Sequence, residues 1–147
     1  MPRPVTIAAA VLAAATVAVS GCKEVESESA TGYEPAKLEE IEGKGDEIKR
    51  VVFTAEGAQR TGLETAKVRS EGGRAVLPYA SLLYDAEGAT WVYTNTGKLT
   101  YLREQVKVDH IDGDRVVLKD GPAVGTAVVT VGTAEVYGTE LEIAGSH

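Results

Sequence analysis

The sequence has few of the residues from which active sites and metal sites are usually built. Its 147 residues include one cysteine, one methionine and two histidines. A single cysteine excludes an internal disulfide, and one interior histidine with scattered carboxylates does not make a soft-metal site. No serine lies in the context of a nucleophile elbow. We therefore expect a protein that is not an enzyme and that binds no cofactor or metal ion.

Basic residues are also in the minority. Lys and Arg together number 15 against 22 Asp and Glu, which gives a formal net charge of −7. This composition offers no basic patch to meet the phosphates of a nucleic acid. It also does not favour binding to an anionic membrane surface by charge alone. We expect no nucleic-acid partner.

The position of the one cysteine, Cys22, is informative. It follows Val19-Ser20-Gly21, and an apolar run at residues 5–19 and Arg3 precede it. A charged start, an apolar core and small residues at a cleavage point are typical of a secretory signal. The alternatives are a chance cysteine or an uncleaved membrane anchor. A helix over the apolar run is about 22 Å long, short of a hydrocarbon core of about 30 Å.

The same stretch resembles a bacterial lipoprotein signal. This resemblance implies that residues 1–21 form a signal helix that is removed, and that Cys22 becomes the acylated N-terminus. The protein would then be extracytoplasmic and anchored to the cell membrane by lipid, since two or more acyl chains give stable anchoring.

Residues 22–47 are predicted to form a flexible acidic tether because they contain almost no apolar side chains that a core could bury. Leu38 and Ile41 are the exceptions, and they fit a single helical turn or a contact with the folded domain. We place a β domain at residues 48–141 and a tail at residues 142–147.

Alternating apolar residues and Gly-rich turns predict strands through most of the domain. Thr54 predicts the N-cap of a short helix that Gly62 ends, and Gly132-Thr133 predicts a second short helix through Tyr137. A phase slip near residues 103–105 predicts a bulge or kink. The fold class is mostly β, a small antiparallel sandwich or barrel with one or two short helices. The predicted extended segments are residues 49–53, 63–68, 74–84, 90–94, 99–111, 116–118 and 127–131.

Two groups of residues are candidates for function. Trp91, Tyr93 and Tyr101 lie within cross-strand reach and predict an aromatic surface for a partner, with core packing as the alternative. His110 lies within the run 109–114, which has calcium-loop spacing but lacks the later glutamate. We favour an exposed structural histidine next to a β-turn.

Two stretches of the domain resemble the periplasmic adaptor subunits, or membrane fusion proteins, of bacterial efflux systems. The first, residues 51–68, has the order hydrophobic strand, Thr54, short helix, Gly62-Leu63, threonine and valine. The second, residues 75–141, resembles the C-terminal membrane-proximal domain of those adaptors. Its matching segments are Leu77-Pro78-Tyr79-Ala80-Ser81-Leu82-Leu83-Tyr84, Trp91-Val92-Tyr93, Val106-Lys107-Val108, Asp114-Arg115-Val116-Val117-Leu118 and Gly121-Pro122-Ala123-Val124-Gly125-Thr126-Ala127-Val128-Val129.

The chain departs from that family in one respect. A full adaptor carries a lipoyl-like domain and a long helical hairpin between these stretches, and here only residues 69–74 separate them. The resemblance therefore implies the membrane-proximal module alone, docking on a transporter permease or another membrane protein without catalysis. The alternative is a solute- or envelope-binding lipoprotein that has no transporter partner.

Overall fold

The computed structural model of the protein describes residues 33–43 and 48–145. Over these residues the fold is mostly β, as predicted, with antiparallel sheets and two α-helices. The helices are α1, Ala55–Thr61, and α2, Thr133–Gly145. The strands are β1 Ala36–Glu39, β2 Arg50–Phe53, β3 Glu64–Lys67, β4 Arg69–Glu71, β5 Arg74–Pro78, β6 Leu83–Tyr84, β7 Thr90–Gly97, β8 Thr100–Gln105, β9 Lys107–Asp112, β10 Arg115–Asp120 and β11 Ala127–Val131.

The strands form two antiparallel sheets. The larger has the order β1-β2-β8-β7-β11-β3, with β6 paired to β7, and the smaller has the order β4-β5-β10-β9. In the larger sheet β2 pairs with β8, and β3 pairs with β11. Strands from the first third of the domain therefore flank strands from its last two thirds.

Two apolar clusters form the core. Alternation along β7 sends Val92 to one face of the larger sheet and Tyr93 to the other. The cluster around Val92 includes Leu77 and Val116, so it joins the two sheets. The cluster around Tyr93 includes Val136 of α2, so it joins the larger sheet to the helix.

Helix α1 has the bounds that its capping residues predict. The Thr54 hydroxyl accepts a hydrogen bond from the Gly57 amide at 2.9 Å, as expected of an N-cap. Gly62 ends the helix in the left-handed conformation, and its amide donates to the Ala58 carbonyl at 3.0 Å.

The irregularity predicted near residues 103–105 lies at Val106, and it divides the predicted extended segment 99–111 into two strands. β8 ends at Gln105 and β9 begins at Lys107, in the other sheet. Between them Val106 is buried, and its amide donates to the Thr90 carbonyl at 2.9 Å. The slip in the apolar pattern therefore marks the point where the chain changes sheets.

The predicted tether boundary needs correction. β1 lies within residues 22–47, yet it pairs with β2 in regular register, and Ala36 is buried in the core. The Pro35 carbonyl accepts from the Thr54 amide at 2.9 Å. The strand was not predicted because its period-2 pattern, Ala36 and Leu38 inward against Lys37 and Glu39, is only four residues long.

The predicted C-terminal helix was too short. We expected it to end at Tyr137, whereas α2 continues to Gly145 and takes up most of the predicted tail. Its inward face includes Glu140, which is 3% exposed, while Leu141 is 51% exposed. Because this reverses the usual apolar pattern, hydrophobic periodicity does not predict the second half of the helix.

Candidate functional site

Two of the three predicted partner-binding aromatics belong to the core. Tyr93 is fully buried and Tyr101 is 4% exposed. The ring of Tyr101 meets Phe53 edge-on, with 6.0 Å between the ring centroids. The prediction of a partner surface is wrong for these two residues, because α2 and the neighbouring strands cover the face of the sheet on which they lie.

Trp91, the third residue of that group, is half-buried. Its indole Nε1 donates a hydrogen bond to Asp85 Oδ2 at 2.8 Å. The other carboxylate oxygen of Asp85 accepts from the backbone amides of Ala89 and Glu87, at 2.7 and 3.1 Å. These hydrogen bonds, that from Trp91 first, hold the pKa of Asp85 below its usual value. The indole is thus engaged in fixing the loop before β7.

A buried polar cluster connects the larger sheet to α2. The Tyr93 hydroxyl donates to Glu140 Oε2, and Arg103 Nε lies 3.4 Å from the same oxygen. The Arg103 guanidinium also lies over two aromatic rings, 4.8 Å from the centroid of Trp91 and 5.4 Å from that of Tyr137. We call these five residues the α2 clamp.

The chemistry of the α2 clamp is structural. Burial, followed by the negative charge of Glu140, raises the pKa of Tyr93 far above its usual value. The phenol therefore stays protonated near neutral pH and donates its hydrogen bond to Glu140. A carboxylate that is buried with a cation and a hydroxyl donor fixes the helix in one position on the sheet.

His110 is exposed, as predicted. Its Nδ1 lies 2.8 Å from Asp109 Oδ2, and Arg74 and Lys119 approach the same carboxylate at 2.8 and 3.6 Å. This arrangement, the hydrogen bond with His110 first, lowers the pKa of Asp109. Asp112 is paired with Arg115 on the other side of the turn. Both carboxylates are paired with cationic side chains, which agrees with the prediction of a β-turn at this point of the chain.

The exposed aromatic residues lie elsewhere. Tyr79 and Tyr84 are 46% and 49% exposed; Tyr79 begins the short 3-10 helix Tyr79–Ser81, and Tyr84 ends β6. Partial desolvation, and then the nearby Tyr79 hydroxyl, raise the pKa of Tyr84. Both exposed rings belong to the same short segment, residues 79–84. We call them the tyrosine pair.

The sequence contained a signal for the tyrosine pair that we did not use. Pro78 ends β5, and the chain then turns through the 3-10 helix, where the buried Ser81 hydroxyl donates to the Pro78 carbonyl at 2.7 Å. A proline cannot donate a backbone hydrogen bond to a neighbouring strand, so it favours the point where pairing stops and the chain leaves the sheet. Aromatic residues there are more exposed than aromatics in a central strand such as β7.

A groove of about 690 Å³ lies between the N-terminal segment and α2. Its walls are residues 33–38 on one side and Thr139, Glu142 and Ile143 on the other. Tyr33 is its one aromatic residue, and the Arg60 guanidinium lies 4.4 Å from the centroid of that ring. A second concavity of about 510 Å³ lies at the end of the smaller sheet, near Arg74 and Lys119.

Cys22, the predicted lipidation site, lies outside the described residues. Within residues 33–43 and 48–145, no group of three or more His, Cys, Asp or Glu is placed to hold a metal ion. Neither of the helices in that part of the chain is long and apolar enough to cross a membrane.

Comparison with protein-family models, with curated proteins and with solved structures finds no match to this chain.

Proposed function

We propose that the protein is a lipid-anchored, extracytoplasmic docking domain that binds a membrane protein and carries out no catalysis. The membrane protein in question is a transporter permease or a similar integral protein. The lipid on Cys22 would hold the domain at the membrane and raise its effective concentration at that partner. Because the chain resembles the membrane-proximal module of efflux adaptors, a transporter is the first partner to test.

The pairing of early strands with late strands carries this proposal. A module built from the two ends of a longer adaptor requires residues 48–68 to join the sheet formed by the later residues. β2 pairs with β8, and β3 pairs with β11. If residues 48–68 had not paired with the later strands, the resemblance to a membrane-proximal module would have been contradicted.

The connection between the two stretches supports the same reading. β4 and β5 form a hairpin through Gly72 and Gly73, both in the left-handed region. A tight turn of this kind replaces the long insertion that full adaptors carry at the corresponding point. The described helices have only 7 and 13 residues, so this part of the chain contains no long helical hairpin like that of a full adaptor.

The pairing of β1 limits how far the domain stands from its anchor. The described structure already includes Tyr33, and about 11 residues connect Cys22 to it. Such a segment spans at most about 40 Å when fully extended. The docking surface must therefore meet its partner close to the membrane.

The tyrosine pair is the surface we assign to docking. Tyrosine is enriched in protein interfaces because its ring gives a large contact area while its hydroxyl hydrogen-bonds at the rim. Tyr79 and Tyr84 offer both, and they belong to the part of the chain that resembles the adaptors.

The test is chemical cross-linking in cells, followed by gentle detergent extraction and identification of the recovered proteins. We expect the unmodified protein to recover a permease, and the double variant Tyr79→Ser/Tyr84→Ser to lose it. Tyr33→Ser, which removes another exposed tyrosine, should retain it. Repeated recovery of the protein alone would contradict docking, and unchanged recovery by the double variant would contradict the assigned surface.

The groove beside α2 favours one alternative, a lipoprotein that binds a solute. It combines an aromatic ring, an apolar wall and the carboxylates of Glu34 and Glu142, which is the composition of many ligand sites. Native mass spectrometry of protein extracted from its own cells tests this reading. A bound small molecule that the groove-filling variant Thr139→Trp excludes would favour it over docking.

A further inference from the structure

β1 is an edge strand, and among the described strands it pairs with β2 alone. In the antiparallel pair with β2, the Pro35 carbonyl accepts from the Thr54 amide, so odd-numbered residues of β1 direct their backbone groups toward β2. Backbone groups alternate between the two sides of a strand. The N–H and C=O of Ala36 and Leu38 therefore face away from the sheet.

The β1 edge is more regular than the outer edges of β3 and β9. The pairings of β3 with β11 and of β9 with β10 contain register shifts. Such irregularities twist an edge and discourage further pairing. The pairing of β1 with β2 has no shift over its four residues. β4, the remaining edge, also pairs without a shift but has only three residues, so β1 is the longer regular edge for one more strand.

The charges on β1 are arranged for pairing with a copy of itself. A lone lysine on an edge strand commonly discourages pairing with another strand. Lys37 is not alone, because its Nζ lies 2.9 Å from Glu39 Oε1. Both side chains lie on the same face of the strand, on either side of Leu38. If two copies of β1 run antiparallel with Leu38 opposite Leu38, each Lys37 stands directly opposite Glu39 of the second copy.

We propose that the protein forms a two-fold dimer in which the outer edges of two β1 strands pair antiparallel, with Leu38 at the axis. Leu38 bonds to Leu38 of the second copy, and the backbone groups of Ala36 bond to those of Glu40, the residue that follows β1. Two cross-strand pairs of Lys37 and Glu39 set the register. The same patch serves both copies, as in the isologous interfaces of most homodimers. This dimer forms whether or not the domain docks on a transporter.

The first test is disulfide cross-linking of the full chain in mild detergent, with Cys22 replaced by serine. In the proposed register, opposed backbone-bonded residues have Cα atoms about 5.5 Å apart, within the range for a disulfide. Leu38→Cys should therefore give a covalent dimer under mild oxidation. Lys37→Cys is the matched control, because residues 37 of the two copies lie about 8 Å apart and should stay unlinked.

The second test is charge reversal, read by sedimentation equilibrium of the same detergent-solubilised chain. Lys37→Glu creates two like-charge pairs and should raise the dimer dissociation constant about tenfold. The double variant Lys37→Glu/Glu39→Lys restores opposite charges and should return the constant to within about threefold of the starting value. Lys67→Glu, the same charge change on β3 at the opposite edge, should have no effect.

Thermal melts of each variant verify that the fold is intact. A monomer at all concentrations, equal cross-linking of Leu38→Cys and Lys37→Cys, or a double variant that dimerises no better than Lys37→Glu alone would each overturn the proposal.

Discussion

Removing the carboxylate of Glu140 should destabilise the protein more than most single substitutions do. The side chain is 3% exposed, and its Oε2 accepts from Tyr93 while lying 3.4 Å from Arg103 Nε. In Glu140→Ala, the buried guanidinium loses the charge of Glu140 and the phenol loses its acceptor. Breaking a buried ion pair by removing one partner costs about 3–5 kcal/mol. The free energy of unfolding should fall by that amount.

Urea unfolding followed by the fluorescence of Trp91, the only tryptophan, measures this loss. With a urea m-value of about 1.5 kcal/mol/M, a loss of 3 kcal/mol lowers the midpoint by about 2 M. Glu140→Gln keeps an acceptor for Tyr93 and loses only the charge. We expect it to cost about 1–3 kcal/mol, less than the alanine variant.

A triple variant separates burial of charge from loss of packing. Tyr93→Phe/Arg103→Met/Glu140→Leu replaces all three polar groups by apolar groups of similar size. Such replacements are often neutral or stabilising, so the triple variant should be more stable than Glu140→Ala. A Glu140→Ala variant that loses less than about 1 kcal/mol, or a triple variant that is less stable than it, would refute the structural role of the α2 clamp.

Three further predictions concern single positions. Gly57→Ala should destabilise the fold, because its Cβ would lie 2.1 Å from the Pro35 carbonyl oxygen; thermal unfolding measures this. Gly138→Ala, the matched change in α2 where a Cβ meets nothing within 4 Å, should instead stabilise by about 0.5–1 kcal/mol in the same assay. Asp85→Asn should be less stable than the unmodified protein at pH 7. Because hydrogen bonds, that from Trp91 first, hold the pKa of Asp85 below the unfolded value of about 3.9, this stabilisation is present above that pH and is lost as the pH falls through the folded pKa. Urea unfolding at pH 7 and pH 3 should show the difference between the two proteins narrowing in acid.

The sequence predicted the parts of the fold that local signals determine. The bounds of α1 follow from a hydroxyl cap and a left-handed glycine, and both are visible in the chain. The slip in alternation near residues 103–105 predicted an irregularity close to Val106, although not that the chain changes sheets there. Each of these signals acts within a few residues, so no knowledge of the tertiary structure was needed.

Features that depend on distant contacts were not predicted. β1 is too short and too polar to be identified without its partner β2, and the second half of α2 presents Glu140 to the core. The candidate aromatic surface was misplaced for the same reason. Alternation shows that Trp91 and Tyr93 share a face, but only the position of α2 determines that this face is covered.

Mass spectrometry of the mature N-terminus tests the central claim most directly. The proposal predicts a chain that begins at Cys22, with a diacylglycerol thioether on the cysteine sulfur and a corresponding gain in mass. A mature protein whose first residue lies elsewhere, or whose cysteine is unmodified, would contradict the account of a domain that acts through its attachment to the membrane.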